Sequence, residues 1–134
     1  MMLCTIFSVQ AATDLPIGKI ESIPEEIAQL MIGKSWKPNC PVALEDLRYL
    51  TIPFWGYDDQ IHDGHMVVHK KVADEVLTVF AKLLESRFPI EKMELIDLYD
   101  ANDDLSMEVN NSSAFCSREN TTYPGVFSNH SYGI

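Results

Sequence analysis

A chain of 134 residues, 46% hydrophobic and 22% charged, has the length and balance of one globular domain with a real core. Its formal net charge of −10, with no cluster of basic residues, excludes a phosphate-reading surface for nucleic acid and any attraction to anionic lipid.

Residues 1–12 (MMLCTIFSVQAA) are apolar and uncharged, and Val9-Gln10-Ala11 has the small-residue spacing of a signal-peptide cleavage site. The stretch is too short to span a bilayer. It reads as a signal-like segment, the alternative being an apolar N-terminal strand, with residues 13–134 as the folded part of an exported protein. Cys4 would leave with that segment. Cys40 and Cys116 would then remain, either as one disulfide or as two buried thiols.

Ser22-Ile23-Pro24-Glu25 has the form of a helix start, with serine as cap and Glu25 three residues later. Ile23, Ile27, Leu30 and Met31 share one helical face, and Gly33 ends it. Residues 34–41 form a loop whose Trp36 covers the core. Residues 50–55 are rich in strand formers, with Pro53 at an edge or bulge. Gly56-Tyr57-Asp58-Asp59 is a turn. Residues 61–69 look like a hairpin about Asp63-Gly64. They carry His62, His65 and His69, either a metal-binding set or ordinary turn and strand-end histidines; no thiolate or carboxylate stands at a matching spacing.

The helical stripe Val72, Val76, Val79, Phe80 and Leu83 predicts a helix over 70–87, closed at Phe88-Pro89. Residues 90–99 predict a strand. Asp97, Asp100, Asp103 and Asp104 lack EF-hand spacing and predict a solvated acidic turn before a short helix at 105–109. No repeat or linker divides the chain.

The last segment, NNSSAFCSRENTTYPGVFSNHSYGI, sets polar groups (Asn111, Ser112, Ser113, Arg118) ahead of Ser128-Asn129-His130. One imidazole does not make a zinc site by itself, since three or four ligands are needed. However, SNHSYG resembles the opening of S-x-H-x-x-G-x-A-x-D, the zinc motif of D-alanyl-D-alanine carboxypeptidases and endopeptidases with the hedgehog/DD-peptidase fold. Other runs match that family in order: Ser35-Trp36 with Cys40-Pro41-Val42; 64–70; 88–93; Asp103-Asp104 with Ser106-Met107; and 111–115. One departure is the order Ala114-Phe115-Cys116-Ser117-Arg118, where the family usually places Asn before Cys.

The resemblance implies an α+β fold, an antiparallel sheet with helices packed on one side. It implies a zinc-dependent peptidase acting on peptidoglycan stem peptides in the periplasm or cell envelope, as a monomer with no nucleic-acid partner and no stable membrane span. His130 would be one zinc ligand. Arg118 would meet a substrate carboxylate or the developing oxyanion, Ser128 would touch substrate or the ligand shell, and Asn111 and Ser113 would orient the arginine or contact peptide. The sequence ends at Ile134, ahead of the motif's Ala and Asp positions, so it reads as the front part of such an enzyme. The expectation is then weak zinc binding, no hydrolysis, and uncovered sheet edges. A non-catalytic remnant or envelope peptide-binding module is the second reading.

Overall fold

Leu47–Trp55 has the β-branched and aromatic content of a strand and forms β2, the centre of a three-stranded antiparallel sheet in the order β1-β2-β3. The structure, a computed structural model, describes residues 14–134; the signal-like segment and Cys4 lie outside them. β1 is Lys19–Ser22, pairing Lys19 with Thr51 through Ser22 with Arg48. β3 is Ile61–His69, pairing Leu47 with His69 through Trp55 with Ile61. Among the described residues three helices complete the domain: α1 (Glu25–Met31), α2 (Ala73–Glu85) and α3 (Asp103–Glu108). No helix of the described residues is long and apolar enough to cross a membrane.

Alternation along the strands gives the sheet two apolar faces. Leu50, Ile52 and Phe54 of β2 and Met66 and Val68 of β3 point one way, onto Ala73, Val76, Leu77 and Phe80 of α2. Leu47, Tyr49 and Val67 point the other way, onto Ile27, Leu30 and Met31 of α1, with Trp36 and Phe115. Helices therefore cover both faces and not one, because both strands are apolar at odd and even positions alike.

Several local expectations shift for identifiable reasons. Ser22 ends β1 instead of capping α1, whose first turn carries Glu25 and Glu26 after Pro24, with no side-chain cap. Asp63-Gly64 is not a turn: 61–69 is one strand, and the hairpin closes at Gly56–Gln60, where Gly56 N–H donates to Gln60 O at 2.7 Å. Gly64 sits mid-strand because a Cβ there would lie 2.6 Å from Met93 Cβ. Pro53 is tolerated in the central strand because β1 pairing stops at Thr51. In α2 the core-facing stripe is Ala73, Val76, Leu77, Phe80 and Leu84, with Ala73 and Leu84 buried and the others half-buried, while Val79 is exposed. That helix ends in a Schellman arrangement, with Phe88 N–H to Leu83 O, Arg87 N–H to Leu84 O, and Arg87 at φ 52° where glycine is usual.

Residues 90–99 form no strand. Met93 O accepts from His65 N–H, the Asn111 side chain takes both Glu94 N–H and Glu94 O, and Ile96–Tyr99 closes into a 3-10 turn. The outer edge of β3 is covered, not open. Met93 O, Val67 O with Phe115 N–H, and Gly133 O with His69 N–H fasten three separate segments along it.

In the hairpin turn, His62 Nε2 lies 2.8 Å from Asp58 Oδ1, and this partner holds the Asp58 carboxyl below its ordinary range. A depressed carboxylate stabilises the fold fully above its unfolded pKa, and that contribution is lost as pH falls through the folded value. Both groups are exposed, so the effect is confined to the turn. In a carbon-13 titration the Asp58 midpoint should rise on His62→Ala. An unchanged midpoint in that variant would remove the pair as the cause.

Candidate functional site

The segment bearing Arg118 and the segment bearing His130 are brought together by an antiparallel ladder. Cys116 N–H donates to His130 O at 3.1 Å, Ser128 N–H to Arg118 O at 3.0 Å, and Asn120 N–H to Val126 O at 2.6 Å, with Glu119 bridged to Phe127 between them. The reversal at 121–125 contains Pro124 and Gly125, the latter at φ 84°. Asn120 Oδ1 accepts from Thr122 and Tyr123 N–H and closes it.

Ser131 is the hub of this arrangement and is wholly buried. Its Oγ accepts from Arg118 N–H at 2.9 Å and donates to Arg118 O at 2.9 Å, with Ser128 Oγ 3.5 Å away. Ser128 is itself buried, so its hydroxyl faces this hub and not solvent. The turn Asn129–Tyr132 ends at Gly133, in left-handed conformation at φ 70°.

His130 is exposed, and its Nδ1 lies 3.0 Å from Ala114 O. A carbonyl only accepts, so Nδ1 carries the hydrogen and Nε2 keeps its lone pair. That is the orientation of a metal-bound histidine, whose second ring nitrogen donates to a backbone carbonyl. One ligand is nevertheless not a zinc site. Among the described residues no group of three or more His, Cys, Asp or Glu could hold a metal ion, so the donors present among them do not by themselves make a zinc centre.

Arg118 Nη2 pairs with Asp103 Oδ2 at 2.9 Å, and its Nε is buried without a hydrogen-bond partner. An unmet buried donor costs about 1–3 kcal/mol. The acidic run divides by partner: Asp97 Oδ1 takes Ser35 N–H inside the protein, Asp100 meets Lys34 at 3.3 Å, and Asp103 meets Arg118.

Asn111 does not reach this arginine through any hydrogen bond; its amide holds Glu94 and Ser106 Oγ. Ser113 is half-buried ahead of Phe115. Cys40 and Cys116 are free thiols and form no disulfide. Their sulfurs turn to different carbonyls, Cys40 to Ser131 O at 3.8 Å and Cys116 to Ala101 O at 4.0 Å. Burial, helped by nearby Asp103, pushes the Cys116 thiol up to about 11, so it stays protonated and unreactive at neutral pH.

The three histidines of β3 do not converge. His62 stands on the Phe54 side and bonds Asp58, His65 stacks on Tyr49 on the other face, and His69 Nδ1 accepts from Lys71 N–H. Two partners escaped sequence reasoning. Ser131 looked like any serine in a turn, and nothing in the spacing ties Asp103 to Arg118.

Comparison with protein-family models, curated proteins and solved structures found no match to this chain.

Proposed function

We propose that this chain carries the arginine-to-histidine segment of a zinc-dependent peptidase of the hedgehog/DD-peptidase type, acting as an exported monomer on peptidoglycan stem peptides that end in D-Ala-D-Ala. The observation that supports the reading is the ladder that sets Arg118 opposite Ser128 and Cys116 opposite His130. It joins the segment that carries a partly exposed guanidinium to the turn that carries an oriented imidazole. Asp103 holds one arm of the guanidinium, and the N–H groups other than the buried Nε are left to meet a peptide carboxylate or oxyanion.

The single candidate ligand among the described residues favours a second reading for the chain as it stands: a module that binds the peptide without cutting it. A four-ligand zinc site yields about 10–16 kcal/mol, so one ligand's share of ~2.5–4 kcal/mol corresponds to a dissociation constant of about 1–15 mM.

The test is a nuclear magnetic resonance titration of the 134-residue protein with a short peptide ending in D-Ala-D-Ala, as free carboxylate and as amide, with and without zinc. The carboxylate should bind at least ~10-fold tighter than the amide, a difference of about 1.4 kcal/mol that Arg118→Ala removes. Zinc should move the His130 ring only at about 1 mM and above, and His130→Ala should abolish that shift. No D-alanine should be released. Equal binding of amide and carboxylate would discard the peptidase reading, and rapid release of D-alanine would discard the non-cutting module.

A further inference from the structure

Between α1, the sheet face that carries Tyr49 and the stretch 93–98 lies a cavity of about 240 Å³ that shares no residue with the Arg118–His130 site. One wall is apolar, from Ile27, Leu30, Leu95 and Leu98. Another is aromatic: the rings of Tyr49 and His65 stack with centroids 5.2 Å apart and planes 8° from parallel. Asp63 and Glu94 also line it, and among the described residues none that lines it is a lysine or arginine.

The register explains the grouping. Asp63 and His65 stand two apart on β3 and so share a face, and Tyr49 lies on that same face of β2. Met93 O holds His65 N–H, which brings Glu94 alongside. Glu94 is held in place by the hydroxyl of Tyr99, which donates to its Oε2 and leaves Oε1 free of that bond. Sharing this hydrogen with the carboxylate pushes Tyr99 up to about 12, so it remains a donor at every ordinary pH. His65 Nδ1 is buried without a hydrogen-bond partner, a polar group that packing alone leaves unmet. Burial first, and then the charges of Glu21 and Glu26, raise the Tyr49 hydroxyl.

We infer that this cavity binds a small organic ammonium ion, an apolar body carrying one amine. The apolar wall takes the body, the Tyr49–His65 pair offers an aromatic surface to the cation, and Asp63 and Glu94 receive its N–H groups. The volume lies below that of a drug-sized site and fits a ligand of one ring or a short branched chain. A neutral ligand of the same shape can offer the two carboxylates a hydrogen bond but no charge, and an anionic one is repelled. Binding here is independent of the peptidase reading and survives its failure.

The test uses benzylamine and its neutral counterpart benzyl alcohol, titrated at pH 7 while the ring signals of Tyr49 and His65 are followed. Benzylamine should shift both rings saturably, with a dissociation constant on the order of 1 mM for so small a ligand. Benzyl alcohol should bind at least ~10-fold more weakly. The doubly neutral variant Asp63→Asn, Glu94→Gln should erase that preference, and the amide oxygen it places at position 94 can still accept from Tyr99. Absence of saturation, equal binding of the alcohol by the unaltered protein, or a preference that persists in the variant would each overturn the inference. The first two are read on the unaltered protein, so they hold even where the variant folds poorly.

Discussion

Gly133→Val should release the Asn129–Tyr132 turn from the sheet and lower stability by about 3 kcal/mol, or roughly 10 °C in melting temperature. The position is left-handed at φ 70°, where a β-branched residue is strained by ~1–2 kcal/mol. Space is the larger obstacle. A Cβ would stand 2.7 Å from His69 N and 3.3 Å from Val68 C, both backbone atoms of β3 that no rotamer change can move. The Gly133 O to His69 N–H bond at 2.9 Å would open with it. Hydrogen exchange should then show lost protection at His69, Cys116, Ser128 and Ser131, whose amides depend on that docking, while Leu50 and Met66 stay protected. A melting temperature within about 1 °C of the parent, with His69 still protected, would mean that the turn is fastened by something else.

The Leu50→Ala change should cost about 2–5 kcal/mol, the range for emptying a filled core site. Leu50 is fully buried at the middle of the central strand, opposite Ile20 on one side and Met66 on the other, and packed toward α2. The informative control is Val79→Ala on α2. Val79 belongs to the stripe that sequence periodicity selects, yet it is 55% exposed, so its truncation should stay within about 0.5 kcal/mol. Urea unfolding of the two variants separates the possibilities. Equal losses would show that α2 is rotated from the orientation that buries Leu77 and Leu84.

For the candidate site, the pieces were legible and the wiring was not. Arg118, Ser128 and His130 stand out in the sequence because each is a recognisable chemical group in a recognisable run. Their mutual placement needs the 116–130 ladder, and the ladder's register follows from where the 121–125 reversal falls. Asp103 and Ser131 stand in such runs too, but nothing there shows which group either one meets. One is an aspartate among four, the other a serine among several, and only folding selects them as partners of Arg118. The same holds for the thiols. An even count of cysteines says nothing of where each sulfur points, and here Cys40 and Cys116 turn to different carbonyls.

Near-neighbour chemistry was enough for the apolar face of α1, the existence of α2 and the turn at Gly56-Tyr57-Asp58-Asp59, because each depends on side-chain periodicity or turn residues close in the chain. Folding in three dimensions was needed to settle that Gly64 lies mid-strand beneath Met93, that helices cover both faces of the sheet, and that the Asn111 amide replaces a strand partner for Glu94. A glycine chosen for its missing side chain reads the same as one chosen for a turn. A backbone group satisfied by a distant amide leaves no local period to find, and such choices exist only once the chain has closed on itself.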